Sequence, residues 1–116
     1  MTSRLPKHLF DALTAARRAG EFLGELDVDA YRANVFVRSA VERQLEIIGE
    51  AAKRALDDEP ALRERIPELE LAIGLRNRLI HGYDRVLHGV VVDTVRRDPP
   101  HLRAVLEVEL KRFPLG

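Results

Sequence analysis

The sequence contains no cysteine and no tryptophan, and aromatic residues make up only 5% of its 116 residues. Without cysteine the chain can form neither a disulfide nor a thiolate metal site, which suits a reducing cytoplasm. Because aromatic rings are scarce, an extended base-stacking platform is not expected. No apolar run approaches the length that spans a membrane, and the first six residues carry no signal-peptide core. These absences favour a cytoplasmic protein that makes no membrane contact.

The composition that remains is globular, with 46% apolar residues, 33% charged residues and a net charge of zero. This length fits one domain, residues 1–116, whose small core would benefit from dimerisation. Charge is unevenly placed: residues 57–70 hold six acids and two bases, whereas residues 76–97 hold five arginines and two acids. Those arginines could hold a polyanion locally, or the split could be ordinary surface scatter.

Apolar residues recur at helical spacing along the chain, which predicts an all-α bundle of four to five helices. The strongest stripe consists of Val37, Val41, Leu45, Ile48, Ala52 and Ala55. Asp29 or Asn34 could cap this helix, and Pro60 ends it. Gly49 in its middle costs about 1 kcal/mol relative to alanine. A close helix crossing would offset that cost, although a merely tolerated glycine is the alternative.

The other predicted helices span about 6–26, 61–66, 67–80, 87–97 and 99–113, and residues 27–29 interrupt the first pattern. Asp98 is expected to cap the last helix, with Pro99 and Pro100 in its first turn. Leu71, Leu75 and Leu79 form the apolar stripe of the helix at 67–80. Residues 90–92 could instead form a strand, but the sequence offers that strand no partner.

The stretch from Leu75 to Tyr83 interleaves apolar side chains with Arg76, Asn77 and His81. Histidine can take and give a proton near neutral pH, and the guanidinium fork of arginine matches phosphate oxygens. Such a pair fits metal-independent RNA cleavage, in which a base activates the ribose 2′-OH and arginine stabilises the phosphoryl charge. On a straight helix Arg76 and His81 lie about 140° apart. The site therefore needs a distorted helix end, a two-fold related subunit, or both.

Each of these residues also has an ordinary structural explanation. His81 could cap a helix or lie on the surface, Arg76 could form a surface ion pair, and Tyr83 could be an aromatic residue at the core edge. A metal site built from His81, Asp84 and His88 is disfavoured, because glycines interrupt that segment and no His-Glu-x-x-His motif is present. No metal ion and no cofactor are expected.

The run Arg76-Asn77-Arg78-Leu79-Ile80-His81-Gly82-Tyr83 resembles the R-x-x-x-x-H-x-Y signature of HepT-like toxins in the HEPN superfamily. Residues 40–53 are similar to the helix that precedes this motif in the family, and the order continues through residues 93–100. The resemblance implies a HEPN fold, a homodimer with both motifs in one cleft, and a metal-independent endoribonuclease. Residues 68–72 lack the tryptophan of typical members, and residues 84–88 differ from the usual aromatic-glycine connection.

The resemblance also implies a role for each motif residue. Arg76 and His81 would be catalytic, Asn77 would support them, and Tyr83 would be adenylylated by a minimal nucleotidyltransferase antitoxin. Glu42 or Glu46 would orient the motif. Two alternatives remain: a non-catalytic helical module that binds a nucleotide or the partner in the same cleft, and a purely structural dimerisation domain.

Overall fold

The computed structural model describes residues 4–80 and 88–113, and the regular structure within them is entirely helical. Its helices are α1 (Leu5–Leu23), α2 (Val28–Ala33), α3 (Val35–Asp58), α4 (Leu62–Arg65), α5 (Glu68–Ile80) and α6 (His88–Leu110). The prediction of an all-α fold is confirmed, and residues 90–92 belong to a helix rather than a strand. The sequence predicted four to five helices, whereas the described residues form six. The short helix α2 was not predicted, and α6 takes the place of two predicted helices.

Side-chain caps explain where α2 and α3 begin. The Asn34 Oδ1 accepts a hydrogen bond from the Val37 amide at 3.0 Å, so Asn34, not Asp29, caps α3. The Asp27 Oδ1 accepts from the Ala30 amide at 2.8 Å and starts α2. Sequence analysis treated residues 27–29 as a break, because a six-residue helix is too short to show an apolar period.

The expectation of two separate helices after residue 87 is wrong. α6 runs without interruption through Pro99 and Pro100, and Asp98 pairs with its neighbour Arg97 at 3.1 Å instead of capping a new helix. Proline lacks an amide hydrogen and normally kinks or ends a helix. Here α6 buries Val95 before the prolines and Leu102 after them, and α6 packs along α1. Tertiary packing on both sides therefore outweighs the local preference for a break.

The core lies mainly between α1, α3 and α6. Small side chains let α1 and α3 approach closely, and their buried alanines are Ala12, Ala15, Ala16, Ala19, Ala51, Ala52 and Ala55. The two helices run antiparallel, because His8 near the start of α1 lies 3.5 Å from the carboxylate of Asp58 at the end of α3. Arg96 of α6 donates hydrogen bonds to the carbonyl oxygens of Gly24 and Leu26, which ties α6 to the end of α1.

None of the helices in the described part of the chain is both long and apolar enough to cross a membrane.

Candidate active site

The Arg76 side chain is held where α5 crosses α3. Its Nη1 donates a hydrogen bond to the Oδ1 of Asn77 at 3.3 Å, and its Nε is enclosed without an acceptor among the described residues. Arg76 itself is only partly exposed. The guanidinium therefore has a fixed stem and unused donors, which is the arrangement that an anionic ligand requires.

Gly49 of α3 makes this position possible. A Cβ added at Gly49 would lie 2.3 Å from the Cβ of Arg76 and 3.0 Å from the carbonyl oxygen of Ala72. The first distance is shorter than real Cβ contacts and the second is tighter than most of them, so a side chain at this position would push the two helices apart. Of the two explanations that the sequence left open for Gly49, the close helix crossing is the one observed. Its cause is the stem of Arg76, which sequence reasoning did not identify.

The contacts observed for the two acidic residues proposed to orient the motif are with residues outside it. Glu46 accepts a hydrogen bond from Arg43 at 3.2 Å, and Arg43 also reaches Glu50 at 3.5 Å. Glu42 is half-buried on α3, and its charge acts on Tyr31. Among the described residues, neither carboxylate forms a hydrogen bond or an ion pair with Arg76 or Asn77. The structure thus joins Arg76 to Asn77 and to Gly49, but not to Glu42 or Glu46.

His81, Gly82 and Tyr83 lie outside the described residues, as does Asp84 of the disfavoured metal set. Their predicted roles therefore stay predictions. Among the described residues, no group of three or more histidine or acidic side chains is placed to hold a metal ion.

Beside the motif, an open groove of about 540 Å³ separates α5 from α6. Two of the three leucines in the stripe predicted for α5 line this groove: Leu71 is 68% exposed, and Leu75 is half-buried against the core. Val90 of α6 lines the groove as well and is 52% exposed. Apolar side chains that stay in solvent around one concave surface are typical of an interaction surface.

The uneven charge of the sequence is partly neutralised in three dimensions. In the acidic segment, Arg63 pairs with Glu70, and Arg65 pairs with both Glu59 and the buried Glu109. In the arginine-rich segment, Arg96 binds backbone carbonyls. Of the arginines in the described part of that segment, Arg76 and Arg78 form no ion pair with any described residue. The guanidiniums of Arg76 and Arg78 are therefore available to an anionic ligand.

Tyr31 is a titratable residue that sequence analysis did not single out. Its ring is fully buried and meets the ring of His88 edge-on, with centroids 5.9 Å apart. Burial, followed by the charge of Glu42, raises the pKa of the Tyr31 hydroxyl to about 12. Its hydroxyl oxygen has no hydrogen-bond partner among the described residues. Tyr31 anchors α2 beneath α6 and is a structural residue, not part of the site.

A family model described as "Ribonuclease HepT-like" matches residues 12–109. MJ1380 of Methanocaldococcus jannaschii, named as an inferred RNase, is 34% identical over 86% of this chain and 91% of its own length. A protein of Thermococcus cleftensis named as an inferred ribonuclease HepT is 36% identical over 86% of this chain and 90% of its own. MJ0125 of M. jannaschii, also named as an inferred RNase, is 33% identical over 89% of this chain and 88% of its own length. No solved structure matches the chain significantly.

Proposed function

Because the chain belongs to the HepT-like ribonuclease family, we propose that it is a toxin that cleaves RNA without a metal ion. The observation that carries this proposal is the position of Arg76. Its partly exposed side chain is fixed against Gly49 and Asn77, and some of its hydrogen-bond donors are unused. Arg76 stabilises the negative charge that grows on the phosphoryl oxygens during cleavage. Asn77 orients the guanidinium.

In the proposed reaction, His81 removes the proton from a ribose 2′-OH. The 2′ oxygen bonds to the adjacent phosphorus as the bond to the 5′ oxygen of the next nucleotide breaks. The leaving oxygen takes up a proton, and the products are a 2′,3′-cyclic phosphate and a 5′-hydroxyl end. DNA lacks the attacking hydroxyl, so the activity is restricted to RNA.

A homodimer completes the proposed site. The apolar side chains around the α5–α6 groove, including Leu71 and Val90, are exposed in the single chain and would be covered by a second copy. A two-fold axis there would bring two copies of α5 together, so each cleft would be built by both chains. This arrangement supplies the convergence of Arg76 and His81 that one straight helix does not provide.

Regulation by an antitoxin follows from the position of Tyr83 in the motif. A minimal nucleotidyltransferase would join the Tyr83 oxygen to the α-phosphorus of ATP, releasing pyrophosphate and the phenolic proton. The added phosphate would place negative charge beside the arginine that must otherwise bind RNA. Co-expression with such a nucleotidyltransferase should raise the intact mass by one adenylyl group in the wild type but not in Tyr83→Phe.

The decisive experiment incubates the purified chain with total RNA in excess chelator. We expect cleavage that leaves cyclic-phosphate ends. His81→Ala and Arg76→Gln should each slow cleavage by at least about a hundredfold, since general base catalysis and charge stabilisation each contribute that much. Arg32→Gln, which removes one exposed arginine of α2, is the matched charge control and should cut like the wild type. Equal inertness of wild type and His81→Ala on every RNA would instead favour the non-catalytic binding module.

A further inference from the structure

A second, smaller groove lies between α1 and α3, with a volume of about 210 Å³. Its α3 wall includes Gln44, which is five residues from Gly49 and therefore about 140° around the helix from the position that Arg76 contacts. The α1–α3 groove is thus a separate surface from the candidate active site. The described residues of the motif, Arg76, Asn77 and Arg78, do not line it.

The Gln44 side chain of this groove has unused hydrogen-bonding capacity. Gln44 is only 8% exposed, and its Oε1 accepts no hydrogen bond from any described residue. An enclosed carboxamide oxygen without a donor is unfavourable in a folded protein, and such cases call for an explanation. A ligand that enters the groove can supply the missing donor, because rotation of the carboxamide presents either its oxygen or its nitrogen.

The groove also carries unpaired positive charge. Arg18 of α1 and Arg54 of α3 both line it, and neither forms an ion pair or a side-chain hydrogen bond with any described residue. Its two acidic residues are already engaged, since Asp11 pairs with Lys7 at 2.9 Å and Glu50 with Arg43 at 3.5 Å. The two free guanidiniums therefore favour an anionic ligand.

An exposed aromatic ring completes the set. Phe10 lines the groove and is 58% exposed, so the face of its ring is open to stacking by a planar ligand. Because α1 and α3 are antiparallel, Phe10 and Arg54 lie toward one end, whereas Arg18 and Gln44 lie toward the other. From Phe10 to Arg18 the α1 axis rises about 12 Å. Each end of the groove thus has one group that can contact a base (Phe10 or Gln44) and one cation that can contact a phosphate. This arrangement matches a nucleic-acid strand, in which bases and phosphates alternate.

We propose that the α1–α3 groove binds a short single-stranded segment of RNA outside the cleavage site. Arg18 and Arg54 contact phosphates, one base stacks on Phe10, and a second base hydrogen-bonds to Gln44. Bases are free for such contacts in single strands but not in a duplex. This inference rests on the proposed ribonuclease function for the identity of the ligand, and it adds a surface that holds the substrate while the motif cuts it.

The test measures binding of a 2′-O-methyl oligoribonucleotide, which lacks the attacking hydroxyl and stays intact with the wild-type protein. For Arg18→Gln and Arg54→Gln we expect weaker binding, and a log–log salt slope reduced in magnitude by about 0.7 each, as for loss of one phosphate contact to a single strand. Phe10→Ala should weaken binding at least about fivefold without changing that slope, because stacking releases no counterions. Unchanged affinity and slope in both arginine variants would overturn the proposal.

Matched variants separate this groove from general surface effects. Arg17→Gln removes the neighbouring arginine of α1, which pairs with Glu21 at 3.7 Å and lies outside the groove. Phe36→Ala removes a ring that is 85% exposed at the start of α3. Both controls should bind the oligonucleotide like the wild type. Equal losses in controls and groove variants would show nonspecific binding and overturn the proposal.

The composition of the chain provides a direct probe of location. Its only side-chain carboxamides are Asn34, Gln44 and Asn77, so their NH₂ signals in a ¹⁵N spectrum report on a helix cap, the α1–α3 groove and the candidate active site. The oligonucleotide should shift the Gln44 signals and leave those of Asn34 unchanged.

A shift of the Asn77 signals alone would support the proposed function and overturn the proposal for the α1–α3 groove. An equal shift of Gln44 with AMP or with double-stranded RNA would also overturn it, because the groove would then not select a single strand. Failure to cleave RNA would overturn the proposed function and leave the Gln44 measurement standing.

Discussion

The two sides of α3 are packed very differently. Toward α1, alanines from both helices interlock and leave core side chains such as Leu9 with no exposure. Toward α5, Leu69 is the one fully buried residue of the helix, and Leu71 is left 68% exposed. The first side supplies most of the apolar burial that stabilises the fold. The side toward α5 buries less apolar surface and so contributes less to stability. Arg76, Asn77 and the α5–α6 groove remain available there for ligands and partners.

The largest expected effect compares one leucine from each side. Leu9→Ala should lower the free energy of unfolding by about 2 to 5 kcal/mol, because it leaves a cavity in a sealed core. Leu71→Ala should change the unfolding free energy of the isolated chain by less than about 0.5 kcal/mol. Urea denaturation measures both values.

Because Leu71 lies in the proposed dimer contact, Leu71→Ala should also lower self-association in sedimentation velocity experiments. A Leu71 variant as unstable as Leu9→Ala at protein concentrations that favour the monomer would show that the two sides do not differ.

A smaller effect is expected where α5 does touch α3 closely. Gly49→Ala should destabilise the fold by about 1 to 3 kcal/mol, since the new methyl group overlaps Arg76 and the helices must separate. Cleavage should fall as well, because the guanidinium would move. Thermal unfolding and RNA cleavage measure the two effects.

Gly74→Ala is the control for Gly49→Ala, because a Cβ at Gly74 of α5 meets nothing within 4 Å. It should be neutral or stabilising by up to about 1 kcal/mol, through helix propensity alone. Comparable damage from both substitutions would contradict the steric explanation.

At neutral pH the smallest expected effect is that of the buried Tyr31 hydroxyl, whose contribution changes only at high pH. Because folding raises the pKa of Tyr31 to about 12, the folded state holds this proton more tightly than the unfolded state. Its contribution to stability is fully present below the unfolded pKa of about 10 and is lost as the pH rises toward 12. In that window the loss is about 1.4 kcal/mol per pH unit.

Tyr31→Phe should remove this part of the pH dependence and cost little at pH 7, because the hydroxyl has no partner among the described residues. Chemical denaturation of both proteins between pH 9 and pH 12 gives the difference. Parallel stability curves for the two proteins would refute the link to Tyr31.

The sequence predicted features that depend on local structure. Asn34, one of the two predicted caps, begins α3, and Pro60 follows its end. The close crossing at Gly49, one of two explanations that the sequence left open, is observed. These effects act within a few residues or through one missing side chain. The residues of the motif were also found from sequence, and the structure joins Arg76 to Asn77.

Features that depend on contacts between distant segments were not predicted. α6 continues through Pro99 and Pro100 with buried side chains on both sides of the prolines, and no local pattern reveals this tertiary packing. The exposure of Leu71 depends on how far α6 lies from α5. The sequence assigned no role to Gln44, which is enclosed where α1 approaches α3. In each case the deciding neighbour is far away in sequence.

The close approach of Arg76 to Gly49 also fixes how α3 and α5 are aligned along their axes. One helical turn in either direction from Gly49, α3 presents Leu45 or Lys53, whose side chains would collide with the arginine stem. The two helices can therefore neither slide past one another nor dock one turn out of register. Helix α3 also forms a wall of the α1–α3 groove, so the distance between that groove and Arg76 is fixed by one helix. That fixed distance sets the length of any RNA strand that contacts both sites.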